Sequence, residues 1–333
     1  MDLLVIETLD AEVMHWLASR HRLRHAPELA ADPREFRRAL YNVRAAIIPS
    51  QLGIDAGTLD FAPLLRAVGR VSAGSENIDL ASCERRGVEV VRSFNASARA
   101  EAEFAIGAML SLLRRVPVRG SDGIVSGREL GGATIGLVGM PPAARTMAQL
   151  LSGFGVRIYG YDPSLHASDS VWPHWQVLPA SLREMVERVD VLCVQLDYYS
   201  RYHGLLGDRF LPYCKPHQVL VSTGHSALFD EISLATALKS GRIAAAWLDS
   251  VEPGALDEGR PLHGIETLQV SPRIAGTTRE SRLRSAWAMA RRIDELLDPK
   301  AAHAAAAAGR DVRDFSATVP GDSAGLEAGS LQP

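Results

Sequence analysis

The sequence predicts an α/β protein built from two doubly wound domains. Three observations carry this. Short apolar runs alternate with helical patterns along most of the chain, as in a mostly parallel sheet covered by helices. The alternation comes in two sets, separated by a glycine- and serine-bearing loop at 118–126. The second set opens on residues 133–148, ATIGLVGMPPAARTMA, which read as a buried strand, a tight turn at Gly139 and a helix start.

In the first set, residues 3–7 (LLVIE) form a strand, and Asp10 precedes the helix AEVMHWLAS. Asp32-Pro33 sets a proline in the first turn of a second helix, PREFRRALYN. Residues 45–48, 67–71 and 88–91 are further short strands. Residues 97–113 carry a long helical pattern whose wide apolar face holds Ala102, Ala105, Ile106, Met109, Leu110 and Leu113. In the second set, strands fall at 134–138, 157–161, 189–194, 219–222, 243–248 and 267–270, and a final helix at 278–297. From residue 300 the chain turns Ala/Gly/Ser/Pro-rich without apolar period, so 300–333 reads as a disordered tail. The last helix can pack back on the first set. That gives a discontinuous domain, 1–97 plus 280–299, with 98–279 inserted and a cleft between them as the site.

The bulk numbers exclude several functions. The 333 residues, 47% hydrophobic and 23% charged, suit two globular domains. A net charge of −3 offers no basic field for nucleic acid or anionic membrane. Cys83, Cys193 and Cys214 are scattered without metal-ligand spacing. No apolar run approaches the roughly 18 residues of a membrane span. The start, MDLLVIETLD, has no signal pattern, and with the odd cysteine count the expected location is the cytoplasm.

The turn at Gly139 has the frame of a Rossmann-type dinucleotide-binding unit. A Gly-x-Gly-x-x-Gly fingerprint would occupy 139, 141 and 144; here stand Gly139, Pro141 and Ala144. Pro141 adds a ring and removes an N–H donor where the backbone should approach pyrophosphate. Two readings stand: a remodelled loop that binds through Pro142, Ala143 and the helix dipole, or lost cofactor binding. Asp162 follows Gly139 at the spacing of an acid that bonds the adenosine ribose and disfavours a 2′-phosphate. Its other reading is an Asp-Pro turn.

Several ordered stretches resemble the D-isomer-specific 2-hydroxyacid dehydrogenase family, which includes phosphoglycerate dehydrogenase. They are VSAGSENID at 71–79, ASARAEAEF at 96–104, VSTGHSALFDE at 221–231, LDSVEP at 248–253 and VSPRIAG at 270–276. The resemblance implies a Rossmann-type domain inserted into a flavodoxin-like substrate domain. It implies NAD as cofactor, a small carboxylate substrate (a 2-oxo or 2-hydroxy acid) and a homodimer formed through the 97–113 helix. That helix also has more apolar surface than one domain is expected to cover.

In the family an arginine holds and polarises the 2-oxo acid, a histidine donates the proton and a glutamate supports the histidine. Here His225 stands at the arginine position and Arg273 at the histidine position. Glu252 fills the glutamate position if the loop before it is shortened. One reading exchanges the roles: Arg273 anchors a carboxylate and His225 shuttles the proton. The other is an eroded site in a non-redox relative: a pseudoenzyme, a binding protein or an enzyme of another reaction class. The resemblance also assigns Thr223 and Asp249 to the cofactor, and Ser50, Ala73, Gly74 and Arg99 to the substrate. Arg99 reads equally as a solvent-facing charge. Tyr198, Tyr199 and Tyr202 wall a larger pocket or lie on the surface.

Overall fold

The computed structural model describes residues 1–71, 77–93, 95–115, 118–119 and 123–298. Ala73, Gly74 and the segment 300–333 lie outside them.

The first part runs β1 (Leu3–Val5), α1 (Ala11–Arg20), β2 (Leu23–His25), α2 (Pro33–Ala39), β3 (Ala45–Ile47), α3 (Ala56–Asp60), β4 (Ala67–Gly69), α4 (Leu80–Arg85) and β5 (Glu89–Val91). Its five strands form one parallel sheet in the order β2-β1-β3-β4-β5. The strand residues of β1, β3 and β4 are buried, as expected of a sheet covered on both faces. Asp32, Asp55 and Asp79 each cap the helix that follows by accepting backbone N–H bonds.

Next come α5 (Ala98–Arg115) and a two-stranded hairpin of β6 (Val118–Arg119) and β7 (Val125–Ser126), where the sequence indicated only a loop. The second sheet uses β8 (Thr134–Val138), α6 (Pro142–Leu151), β9 (Arg157–Tyr161), α7 (Val171–His174), β10 (Leu178–Pro179), α8 (Leu182–Arg188), β11 (Val191–Val194), β12 (Gln218–Ser222), α9 (Glu231–Lys239), β13 (Ile243–Leu248) and β14 (Leu268–Val270). Its seven strands are parallel, in the order β10-β9-β8-β11-β12-β13-β14. The order reverses between β8 and β11. That is the switch point where doubly wound sheets bind ligands, outside the carboxyl ends of the strands.

The final helix, α10 (Arg279–Leu297), returns to the first sheet. Its Met289, Ala290 and Ile293 share a core with Leu3, Val5, Ala45 and Ile47. The approach needs a glycine, since a Cβ on Gly69 would lie 2.8 Å from Ile293 Cδ1. The second α/β unit is thus inserted into the first. The apolar face of α5 is covered within the chain: Ala102, Ala105, Met109, Leu112 and Leu113 pack with Ala144, Met147, Ala148 and Leu151 of α6 and with Val219 and Val221 of β12. This corrects the expectation of surplus apolar surface there, since small residues on both helices bring them into close contact. Only Leu110 of that face, 37% accessible, remains exposed.

The turn after β8 rests directly on the chain leaving β11. Gly139 has φ +89°, and a Cβ there would lie 2.4 Å from Leu196 Cα. Gly139→Ala should therefore cost about 2–4 kcal/mol of stability, from both strain and backbone overlap. Urea unfolding measures this; an unchanged midpoint would contradict the packing.

Candidate active site

The carboxyl ends of β8, β11, β12 and β14 and the start of α5 surround a cleft of about 520 Å³. On one wall lies the remodelled turn. The Gly139 amide donates to Tyr161 O at 2.7 Å, and the Met140 amide to Asp162 Oδ2 at 2.9 Å. Asp162 Oδ1 accepts from the Ser164 amide and hydroxyl. Asp162 thus stitches the end of β9 to the turn after β8, and Oδ2, with a single donor, has lone-pair capacity left. Pro141 is the N-cap of α6 and Pro142 its first residue. Proline suits these positions because the first helical amides have no partner inside the helix. Two donors are lost, and the amides of Ala143 and Ala144 become the first at the dipole's positive end. Pro141, Pro142 and Ala143 all line the cleft.

The facing wall holds His225. Its Nδ1 accepts from the Ala227 amide at 3.2 Å, so the neutral ring carries its proton on Nε2. Nε2 lies 3.5 Å from Glu252 Oε1, and the ring stacks on Tyr198 at 4.6 Å between centroids. Thr223 lines the cleft beside it and accepts from Gln195 Nε2 at 3.1 Å.

Arg273 reaches the same cleft from the loop after β14. Its backbone is left-handed, φ 55°, a conformation costing an arginine on the order of 1 kcal/mol. Asp249 holds it there. The Asp249 carboxylate accepts from Ser271 Oγ (2.7 Å), the Ile274 amide (3.0 Å) and the Ala275 amide (2.9 Å), and its carbonyl takes the Arg273 amide at 2.6 Å. Asp249 is buried and outside the cleft lining; it acts through this loop. Among the described residues the Arg273 guanidinium has no ion-pair partner.

Three residues that sequence reasoning passed over also line the cleft: Glu101, Gln195 and Asp197. Ser97, Ala98 and Glu101 share one helix face by their i, i+1, i+4 spacing. Burial pushes the Glu101 carboxyl up, and the charges of Asp249 and Asp197 add to it. Burial likewise pushes Asp197 up, with Asp162 contributing. The signal available in sequence was an acid interrupting an alanine-rich helix face, and Gln-x-Asp directly after a buried strand.

Of the substrate-side residues, Arg99 and Ser50 are not brought in. Arg99 is exposed and paired with Glu103 at 2.7 Å, a surface i,i+4 ion pair. Ser50 lies exposed after β3, outside the lining, and Ala73 and Gly74 fall outside the described residues. Tyr198 lines the cleft, whereas Tyr199 packs edge-on against Tyr202 away from it. Among the described residues there is no metal-ligand cluster, and no helix is long and apolar enough to cross a membrane.

Comparison with known proteins agrees with this architecture. Residues 107–275 match the family described as D-isomer specific 2-hydroxyacid dehydrogenase, NAD binding domain. An (S)-sulfolactate dehydrogenase of Chromohalobacter salexigens is 30% identical over 253 residues, covering 74% of this chain and 82% of that protein. A glyoxylate reductase of Aeropyrum pernix is 31% identical over 255 residues, covering 72% and 76%. Among solved structures, the TT0316 protein of Thermus thermophilus shares the fold with a TM-score of 0.71 at 24% identity, covering 89% of this chain and 97% of that one. The apo D-mandelate dehydrogenase of Rhodotorula graminis does so at 0.73 and 20%, covering 88% and 94%. The chain belongs to the D-isomer specific 2-hydroxyacid dehydrogenase family.

The raised Glu101 carboxyl has a thermodynamic consequence. The native state holds its proton more tightly than the unfolded chain, so the charged form lowers stability as pH rises from the ordinary glutamate range through the raised value. Glu101→Gln should therefore stabilise the protein at pH 8, by an amount that fades toward about pH 4. Urea midpoints at the two pH values decide this; no gain at pH 8, or an equal gain at both, would contradict it.

Proposed function

We propose that the chain is an NAD-dependent oxidoreductase that interconverts a 2-oxo and a 2-hydroxy carboxylic acid, with the roles of arginine and histidine exchanged. The observation that carries this is the convergence of His225, backed by Glu252, and Arg273 on one cleft at the switch point. Arg273 anchors the substrate carboxylate with its fork of donors. His225 serves the oxygen on C2 through Nε2. To deliver a proton from Nε2 the ring must be doubly protonated, which gives up the Ala227 bond, a cost of about 1 kcal/mol. The Tyr198 stack holds the ring plane, and Glu252 Oε1 lies 3.5 Å from Nε2. Gly139, Pro141, Pro142, Ala143, Thr223 and Asp162 suit a dinucleotide laid across the switch point, with phosphate at the Ala143 and Ala144 amides and ribose at Asp162. Bound there, the nicotinamide supplies or accepts the hydride.

The relatives' names give different acids but one type of reaction, which supports this reading. A homodimer rests on the family likeness, with exposed Leu110, Ile124 and Val125 as the apolar surface nearest to it in sequence; a monomer in light scattering at tens of micromolar would oppose it. A reducing compartment, the cytoplasm, suits three free buried cysteines, two of which, Cys193 and Cys214, are pushed by burial up to about 12.

Calorimetry with NAD⁺, NADH, NADP⁺ and NADPH tests the cofactor. NAD(H) should bind at least about tenfold more tightly than NADP(H), because Asp162 repels a 2′-phosphate. Absence of binding at millimolar concentration favours the non-redox alternative, to which the two prolines point. His225→Asn should lower kcat by about 10²–10⁴ and remove a limb of the pH profile. Arg273→Met should mainly raise KM. Parent-like kinetics in both variants would remove these residues from the mechanism.

A further inference from the structure

Pro141 and Pro142 leave the turn after β8 two amide donors short, and the chain holds a cation beside the same turn. Arg145 is the fourth residue of α6. Side chains on a helix lean toward its N-terminus, and this one runs back past the first turn. Its Nε donates to Met140 O at 2.8 Å, the carbonyl directly before Pro141. Its guanidinium lies over the Trp175 ring, 4.6 Å from the centroid. Trp175 is itself fixed. It meets the buried Trp172 edge-on at 5.9 Å, and Trp172 Nε1 donates to His166 O at 2.9 Å. Arg145 thus sits just outside the cleft lining, toward the connection after β9. It is exposed, and its two Nη groups have no hydrogen-bond or ion-pair partner among the described residues.

Such a placement is unfavourable for an arginine left to itself. The start of a helix is its positive end and normally gathers acids. α6 has no acid in its first turn, and Arg145 adds a positive charge there. Holding so long a side chain in one arrangement also costs rotamer freedom, up to about 2 kcal/mol. An anion on the open Nη face relieves the first cost and uses the second. Resting on the cofactor reading above, we infer that Arg145 takes a phosphate of the dinucleotide in place of the two missing amides. A guanidinium offers phosphate a planar pair of donors, and the indole orients that plane before the ligand arrives. The Met140 amide donates to Asp162 while its carbonyl accepts from Arg145, so the acid assigned to the ribose and the cation assigned to the phosphate are tied to one turn residue.

The test is calorimetry on the full chain with ADP and adenosine, which share the nucleoside and differ in the phosphates. The parent should bind ADP at least about tenfold more tightly than adenosine. Arg145→Met and Arg145→Gln should each weaken ADP by at least about tenfold and leave adenosine within about twofold. The glutamine keeps a donor for Met140 O, so it separates loss of charge from loss of the turn contact, and it decides alone if Arg145→Met does not fold. Parent-like ADP binding in Arg145→Gln overturns the inference. An equal loss of ADP and adenosine also overturns it, because Arg145 is then only a pin between α6 and Trp175. If the variants bind ADP like the parent while the parent reduces a 2-oxo acid with NADH, the inference falls and the dehydrogenase reading stands. If ADP behaves as expected and no 2-oxo acid is reduced, the inference stands and that reading falls. A parent that binds neither ADP nor NADH at millimolar concentration overturns both.

Discussion

The buried carboxylate of Asp249 is the interaction on which the cleft depends. It directly follows β13, is buried, and gathers three donors from the loop after β14, while its own carbonyl takes a fourth from Arg273. Charge-assisted bonds of this kind are stronger than neutral ones and direct their donors closely. They hold Arg273 in a left-handed conformation that an arginine would otherwise leave. They also seat Gly276 against α5, where a Cβ would lie 3.0 Å from Glu101 Oε1 and 3.1 Å from Ser97 Cβ. One buried acid therefore sets the anchor and places it beside the acidic wall. Trp247 extends the network by donating to Ser271 Oγ at 3.2 Å while its ring meets Phe104 of α5.

The second constraint is the close approach of the turn after β8 to the chain after β11. Gly139 makes it sterically possible, and it brings Pro141 and Pro142 level with Gln195, Asp197 and Tyr198 around one cleft. The prolines keep the helix start in place at the cost of two amide donors, so the backbone's hold on any anion there depends on Ala143, Ala144 and the dipole. The polar character of the cleft thus shifts from phosphate donors toward carboxylate acceptors. Its two faces differ in charge, and an account of substrate choice has to satisfy both.

Much of the fold was legible because buried parallel strands are continuous apolar runs. The strands at 134–138, 157–161 and 243–248 have the bounds read from sequence. β2 and β10 gave no such signal: LRH and LP are short edge strands with exposed residues. The β6–β7 pairing is two residues long, too short to show above the glycines and serines around it. The cover of α5 is not legible, because apolar area alone does not say which neighbour buries it; alanines, Met147 and Leu151 on α6 supply that cover. In the site, Gly139 and Pro141 were readable from a local motif with a physical reason for each position. His225, Glu252 and Arg273 were readable only by resemblance, since nothing in their own neighbourhoods marks residues that meet through folding. Of the two readings of Arg99, cleft residue and solvent-facing charge, the structure shows the second, and Glu101 is the one that enters the cleft. Two residues along a helix is a turn of about 200°, so the two cannot share a face.

The central claim is that this rearranged cleft still moves a hydride between nicotinamide and C2 of a carboxylic acid. The most direct measurement is isotope transfer. The protein is incubated with NADH doubly deuterated at C4 and a panel of 2-oxo acids, and the products are read by mass spectrometry. The account predicts a 2-hydroxy acid carrying one deuterium on C2, formed by the parent and strongly reduced in His225→Asn. Unlabelled acids recovered intact from a protein that binds NADH would contradict it.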